Sequence, residues 1–179
     1  MGYLYMRMKS RGHFVVKDSL TEALLQLMSE KPFAEITVTE LTDKAGISRA
    51  TYYRNYSSKE EIISGFMTRM IDDFHKTYNI TKIADRFVRE YADYMLEYTR
   101  KYNALLHLVY DSGLSSIYLG CLNRYVLKKH SEEIQSEKDY YLLLGYCGAE
   151  FNLIFSGVIA REGDRQVNPE EISVMFESA

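Results

Sequence analysis

Five residues within one heptad carry chemistry suited to a duplex groove: Arg49, Thr51, Tyr53, Arg54 and Asn55. An arginine can grip guanine O6 and N7 through two parallel bonds, and a threonine can touch a thymine methyl or a phosphate. Tyrosine and asparagine suit phosphate oxygens, which set the register of a protein on DNA without reading its sequence. The set acts together only if one helix carries it outward; a solvated surface charge is the competing reading for Arg54.

The flanking residues define that helix. Thr37 and Glu40 form a T-x-x-E capping box that opens a helix over 38–45. Gly46 falls where a helix must stop and positive φ is tolerated. Ile47 is apolar enough to plug the gap between two helices, and Ser48 is a good N-cap for the next, over 49–55. Tyr52 and Tyr56, four apart, share one face and read as core. Arg49, Tyr53 and the Arg54–Asn55 pair take the other. Ser58 and Glu61 then open a long helix from Lys59.

The segment from about Phe14 to about Phe74 resembles the DNA-binding domain of the TetR/AcrR family of bacterial one-component regulators. The resemblance rests on Ile36-Thr37-Val38, Ala45-Gly46-Ile47-Ser48, Thr51-Tyr52-Tyr53-Arg54-Asn55-Tyr56 and Ser58-Lys59-Glu60-Glu61. Thr42 departs from it where alanine is commoner, and its hydroxyl is expected to bond the Val38 carbonyl. Ala50 departs where glycine is common. The resemblance implies backbone contacts at Tyr53 and Lys59, within a DNA-binding set of Thr37, Ser48, Arg49, Ala50, Thr51, Tyr53, Arg54, Asn55 and Lys59. Beyond about residue 80 no motif extends it.

Composition fits this reading. The 179 residues are 46% hydrophobic, with two prolines and ten glycines, and β-branched alternation is scarce. The expected class is all-α. An amino-terminal helix-turn-helix head spans 1–58, with its motif at 37–56. A connecting helix and a helical ligand-binding and dimerisation domain follow at 59–179. Net charge is −3, but residues 1–59 hold nine Lys/Arg against six Asp/Glu and the remainder thirteen against nineteen. A mildly positive head on an acidic body suits a DNA partner for the head alone. No run of 18 apolar residues predicts a membrane span. The start lacks the pattern of a secretory signal, so the expected location is cytoplasmic. Cys121 and Cys147 read as buried free thiols, with a redox pair as the alternative. No G-x-S-x-G, P-loop, H-E-x-x-H or C-x-x-C occurs, so neither an enzyme, a cofactor nor a metal site is expected.

Hydrophobic spacing places the remaining elements. Arg7, Lys9 and Arg11 belong to an arm or a helix end. A helix runs from Phe14 to about Glu30 and stops at Lys31-Pro32. The long helix continues to about Tyr78, with Phe66, Met70, Phe74 and Tyr78 on one stripe and Ile63, Met67 and Ile71 beside it. A face that wide is covered on two sides. Helical patterns follow over Ile83–Tyr102, Asn103–Tyr110, Leu114–Lys129 and Asp139–Arg161. Gly163 ends the last of these, and Pro169 opens a terminal helix toward Met175 and Phe176.

Small residues in the long apolar segment, Gly145, Gly148, Ala149, Ser156 and Gly157, would let helices approach closely. They read as a homodimer seam, with Phe155 beside them, or as packing within one crowded core. The resemblance favours the dimer, since such regulators pair through their last two long helices. Sixteen tyrosines and eight methionines line either a core or a pocket; the pocket candidates are Tyr91, Tyr94, Tyr98, His107 and Tyr146. The implied function is a ligand-responsive repressor that binds a near-palindromic operator in double-stranded DNA as a dimer, released by a small-molecule inducer. The alternative keeps the fold but answers to a protein partner, or activates, without an inducer. A cavity in the body separates the two.

Overall fold

The computed structural model describes residues 13–159, and every element among them is helical. The chain divides into two compact units that meet between Ile62 and Ile63.

In the first unit, α1 (His13–Met28) buries Leu20, Leu24 and Leu27 at spacings of four and three. Each such side chain contributes about 1.5–3 kcal/mol on burial. After Pro32 a 3-10 turn, Phe33–Glu35, buries Phe33, and Ile36 is buried just beyond it. Helix α2 (Val38–Ala45) packs on α1. Its capping box is complete: Thr37 Oγ1 accepts from the Glu40 amide at 3.2 Å, and Glu40 Oε2 accepts from the Thr37 amide at 2.9 Å. Glu40 also receives the Lys31 ammonium. That bond, then the Thr37 amide and hydroxyl, hold the Glu40 carboxyl down at about 2. Gly46 has φ +66, and the amides of Gly46 and Ile47 return to Asp43 and Thr42 carbonyls. This is a Schellman stop, which a β-carbon at position 46 would strain. The Thr42 hydroxyl bonds Thr39 carbonyl at 3.0 Å, not that of Val38. Helix α3 is Arg49–Asn55.

Helix α4 (Lys59–Thr77) begins in the first unit and continues into the second. Ser58 Oγ accepts from the Glu61 amide at 3.3 Å, while Glu61 reaches back to the Ser57 amide at 2.7 Å. Ile63, Phe66, Met67, Met70, Ile71 and Phe74 are all buried, while Tyr78, the last residue of the first expected stripe, lies just past α4 and is half-buried.

The second unit departs from the expected helix over 83–102. Asp85 accepts the amides of Thr81 and Lys82 at 2.8 and 2.7 Å, and Glu133 takes the Ile83 amide at 3.0 Å. These carboxylates satisfy the backbone in a 3-10 turn, Ile83–Phe87, and Val88 is extended. Helix α5 therefore starts only at Arg89 and runs to Lys101. The break turns Arg86 inward, where it is 1% exposed. Helices α6 (Asn103–Asp111), α7 (Ser115–Lys129) and α8 (Glu137–Asn152) follow, and α7 packs on α8. Helix α8 widens into a π-helical turn, Leu153–Ile159. The arm with Arg7, Lys9 and Arg11, the stop at Gly163 and the helix toward Met175 and Phe176 lie outside the described residues.

Candidate nucleic-acid interface and interior cavity

Helix α3 has two unlike faces. Tyr52 is 1% exposed and Tyr53 is 56% exposed, although the two are adjacent. Tyr56, one turn on from Tyr52, is also buried, and the Tyr52 and Tyr56 rings lie 6.3 Å apart. Two buried aromatic rings fix the rotation of a helix of only seven residues. That rotation leaves Arg49, Ala50, Tyr53 and Arg54 exposed, with Thr51 and Asn55 half-buried.

Local bonds organise these side chains. Ser48 Oγ accepts from the Thr51 amide at 3.1 Å and lies 2.9 Å from Thr51 Oγ1. Arg54 Nη2 donates to Thr51 Oγ1 at 3.1 Å. Asn55 Nδ2 donates to the Thr51 carbonyl at 2.7 Å. Thr37 stands at the N-terminus of α2, its hydroxyl held by Glu40 at 2.7 Å.

Lys59 is differently placed. Its ammonium donates to the carbonyls of Phe33 and Ile36 at 2.8 and 2.5 Å and sits 4.6 Å from the centre of the Phe33 ring. Two of its three protons thus tie the start of α4 to the loop ahead of Thr37. Sequence pattern alone does not reveal that tie, because its acceptors are main-chain carbonyls 23 and 26 positions away.

The second unit holds a buried polar cluster that no sequence motif marks. Glu150 on α8 accepts from Tyr118 at 3.1 Å and from Tyr91. Tyr91 in turn accepts from Arg86 Nη1 at 2.9 Å, and Arg86 lies 3.7 Å from the Glu150 carboxylate. Arg86 Nη2 meets His75 Nε2. His75 Nδ1 is 2.7 Å from the Ile71 carbonyl. A carbonyl only accepts and a guanidinium only donates, so His75 is neutral with its proton on Nδ1. Burial pushes the Glu150 carboxyl up, more than Arg86 and the two tyrosines pull it down. Burial, then the neighbouring Arg86, lowers His75 to about 3.

A pH dependence follows. The His75 pKa is lower folded than unfolded, so its neutral form stabilises the fold fully above about pH 6.5. Between about 6.5 and 3 the unfolded chain binds a proton that the folded chain refuses. Stability then falls by up to about 1.4 kcal/mol per pH unit from this group. Urea titrations at pH 7, 6 and 5 should show the loss, and His75→Gln should flatten it; an identical slope in the variant would exclude His75 as its source.

A cavity of about 20 Å³ borders this cluster, lined by Met70, Phe74, Met95, Tyr118, Glu150 and Ile154, with Tyr98 and Thr99 also on its wall. Of the pocket candidates, Tyr98 is on the wall and Tyr91 stands one bond behind it. Tyr94 stacks on Tyr78 with ring centres 4.3 Å apart. Tyr94, His107 and Tyr146 are half-buried and do not line the cavity. Cys121 and Cys147 are free and buried, and burial pushes the Cys147 thiol up to about 12. Among the described residues no three His, Cys, Asp or Glu side chains are grouped to hold a metal ion, and no helix is long and apolar enough to cross a membrane.

On the outer face of α8, Tyr141 is 65% exposed and Gly145 is exposed, while Gly148 and Ala149 are half-buried. A β-carbon at Gly145 or Gly148 would meet nothing within 4 Å. Ser156 is exposed. Phe155 is not on that face: it is buried, its ring 5.5 Å from Tyr118 and 5.1 Å from Phe151.

Residues 20–65, which hold the outward-facing α3 and its two caps, match the family described as bacterial regulatory proteins, tetR family. The amino-terminal unit is a tetR-family helix-turn-helix domain. Two curated relatives carry related names. The chain is 37% identical over 54 residues to the uncharacterized HTH-type transcriptional regulator YxbF of Bacillus subtilis, covering 30% of this chain and 14% of that one. It is 24% identical over 89 residues to the HTH-type transcriptional regulator AlkX of Mycobacterium tuberculosis, covering 46% and 42%. The matched stretches therefore span less than half the length of either curated relative. The crystal structure of Lin0861 from Listeria innocua has the same fold, with a TM-score of 0.74 over 97% of this chain and 93% of that one, at 14% identity. The tetR-type match in sequence ends near α4, whereas the likeness in fold extends through the second unit.

Proposed function

We propose that the chain is a cytoplasmic, ligand-responsive repressor that binds a near-palindromic operator in double-stranded DNA as a homodimer. The observation that carries this reading is the rotation of α3, which buries Tyr52 and Tyr56 and leaves Arg49, Tyr53 and Arg54 free for a major groove. Arg49 reads a base, and Thr51, Tyr53, Asn55 and Thr37 hold phosphates, with Ser48, Ala50 and Arg54 at the same surface. Two heads about 34–36 Å apart then read two half-sites. The open, small-residue face of α8 around Gly145, Gly148, Ala149 and Ser156 supports pairing. The cavity supports an inducer, because Met70 and Phe74 on its wall belong to α4, the helix that also enters the DNA-reading unit. A control by a protein partner, or activation, is the second reading. It is favoured by the small size of the cavity and by the exposed Tyr140-Tyr141-Leu142 run.

Gel shifts against the DNA upstream of its own gene, at two salt concentrations, test the reading, and light scattering tests the dimer. Binding that ignores both sequence and salt would end it. Lys59→Ala provides a finer check. It should weaken binding to all sequences alike and reduce the salt slope by about one unit. It should also lower the unfolding midpoint of the first unit, because the Phe33 and Ile36 carbonyls lose their donor. Unchanged affinity together with an unchanged midpoint would remove Lys59 from the interface.

A further inference from the structure

The guanidinium of Arg54 is both held in place and left uncompensated. Its Nη2 donates to Thr51 Oγ1 at 3.1 Å, one turn back on the same face of α3. Among the described residues Arg54 forms no ion pair with a carboxylate, and it is exposed. Thr51 is itself fixed from two sides. Ser48 Oγ lies 2.9 Å from Thr51 Oγ1 and accepts the Thr51 amide at 3.1 Å, while Asn55 Nδ2 donates to the Thr51 carbonyl at 2.7 Å. A line of bonds thus runs from the Ser48 cap through Thr51 to Arg54 in the last turn. A guanidinium has about five N–H donors. With one directed at Thr51, the others stay open to a partner, and none of them can accept.

Direction decides which partner that is. Arg49 and Arg54 are five positions apart in α3, so they point about 140° apart around a helix of about 3.6 residues per turn. Side chains that diverge so far do not face one groove floor together. With Arg49 at the bases, Arg54 faces a wall of the groove, and the wall is a row of phosphates. A planar guanidinium matches two phosphate oxygens at once. One already tied to its own helix loses less freedom on binding than a loose arginine does.

We propose that Arg54 is a phosphate contact and that Thr51 is the residue that positions it, through its hydroxyl. The proposal rests on the DNA-binding reading of α3. It goes beyond that reading by giving Arg54 a role and by naming the side chain on which the role depends.

Fluorescence anisotropy across a salt series tests this, with the upstream duplex and a scrambled duplex of equal length. Arg54→Ala should weaken both duplexes alike, by roughly ten-fold, and lower the salt slope by about one unit per head. Thr51→Val keeps the branched shape and the amide that Ser48 accepts but removes the hydroxyl. It should cost roughly ten-fold with Arg54 present and about three-fold or less after Arg54→Ala, the coupling of two residues that act together. Thr51→Ser keeps the hydroxyl and should hold affinity within about two-fold of the unaltered chain. A purely structural Thr51 would lower the unfolding midpoint without coupling to Arg54. If the valine chain does not fold, Thr51→Ala repeats the cycle with the best helix former. A loss confined to one base pair in Arg54→Ala, an unchanged salt slope, or equal costs of Thr51→Val with and without Arg54 would overturn the proposal. An unaltered chain that binds neither duplex would end the DNA reading and this assignment with it. Salt-dependent binding that survives Arg54→Ala in full would end this assignment alone.

Discussion

Arg86→Ala should lower the unfolding free energy of the second unit by about 3–5 kcal/mol, the cost of removing one partner from a buried ion pair. Three groups lose their donor or their balance at once. Tyr91 loses the Nη1 bond at 2.9 Å, His75 Nε2 loses its Nη2 partner, and Glu150 keeps a buried negative charge without the Arg86 cation, its ion-pair partner among the described residues. Burial already pushes the Glu150 carboxyl up with Arg86 in place. Without it the carboxylate should take up a proton at still higher pH. Urea denaturation followed by far-ultraviolet dichroism measures the loss. The double change Arg86→Met with Glu150→Leu should recover much of it, because a matched apolar pair has no buried charge to compensate. A loss below about 1 kcal/mol in Arg86→Ala would mean that the cluster is solvated and that Arg86 is not its counter-charge.

The second large effect concerns DNA. Arg49→Ala should relax base preference at one position in each half-site by about 1–3 kcal/mol, the value of a bidentate arginine–guanine contact. In the proposed dimer the losses at the two half-sites add. Arg49→Lys should not restore the preference, since an ammonium lacks the planar fork. Tyr52→Ala gives the contrasting pattern: the helix loses the ring that fixes its rotation, so binding to all sequences and stability fall together. Competition gel shifts with operators altered one base at a time distinguish these outcomes. If Arg49→Ala leaves every base preference intact, Arg49 is a solvated charge and the base reader lies elsewhere on α3.

How much of this is legible in the sequence depends on the range of the interaction. The caps of α2 and α3 are local: Thr37 and Glu40 are three apart, as are Ser48 and Thr51. Gly46 marks a stop that only an unbranched backbone accepts with ease, and it adopts φ +66. The i, i+4 pair Tyr52 and Tyr56 identifies the buried side of α3, and Tyr53 takes the opposite one. Elsewhere the pattern misleads. A helical period runs through 83–102, yet the Asp85 and Glu133 carboxylates hold the backbone in a tight turn, and α5 begins only at Arg89. Two of those bonds are short in sequence; the one from Glu133 spans 50 residues and has no periodic signature.

From its residues alone this chain declares an all-helical fold, a helix-turn-helix unit and the side of the reading helix that faces outward, because capping, glycine turns and helical spacing act within a few positions. Only the tertiary structure brings His75, Arg86, Tyr91, Tyr118 and Glu150 together, turns Lys59 onto two carbonyls, and draws Phe155 into the interior. Those placements arise from burial, which pairs charges and fills space among residues far apart in the chain, and burial is a property of the assembled helices rather than of any one of them.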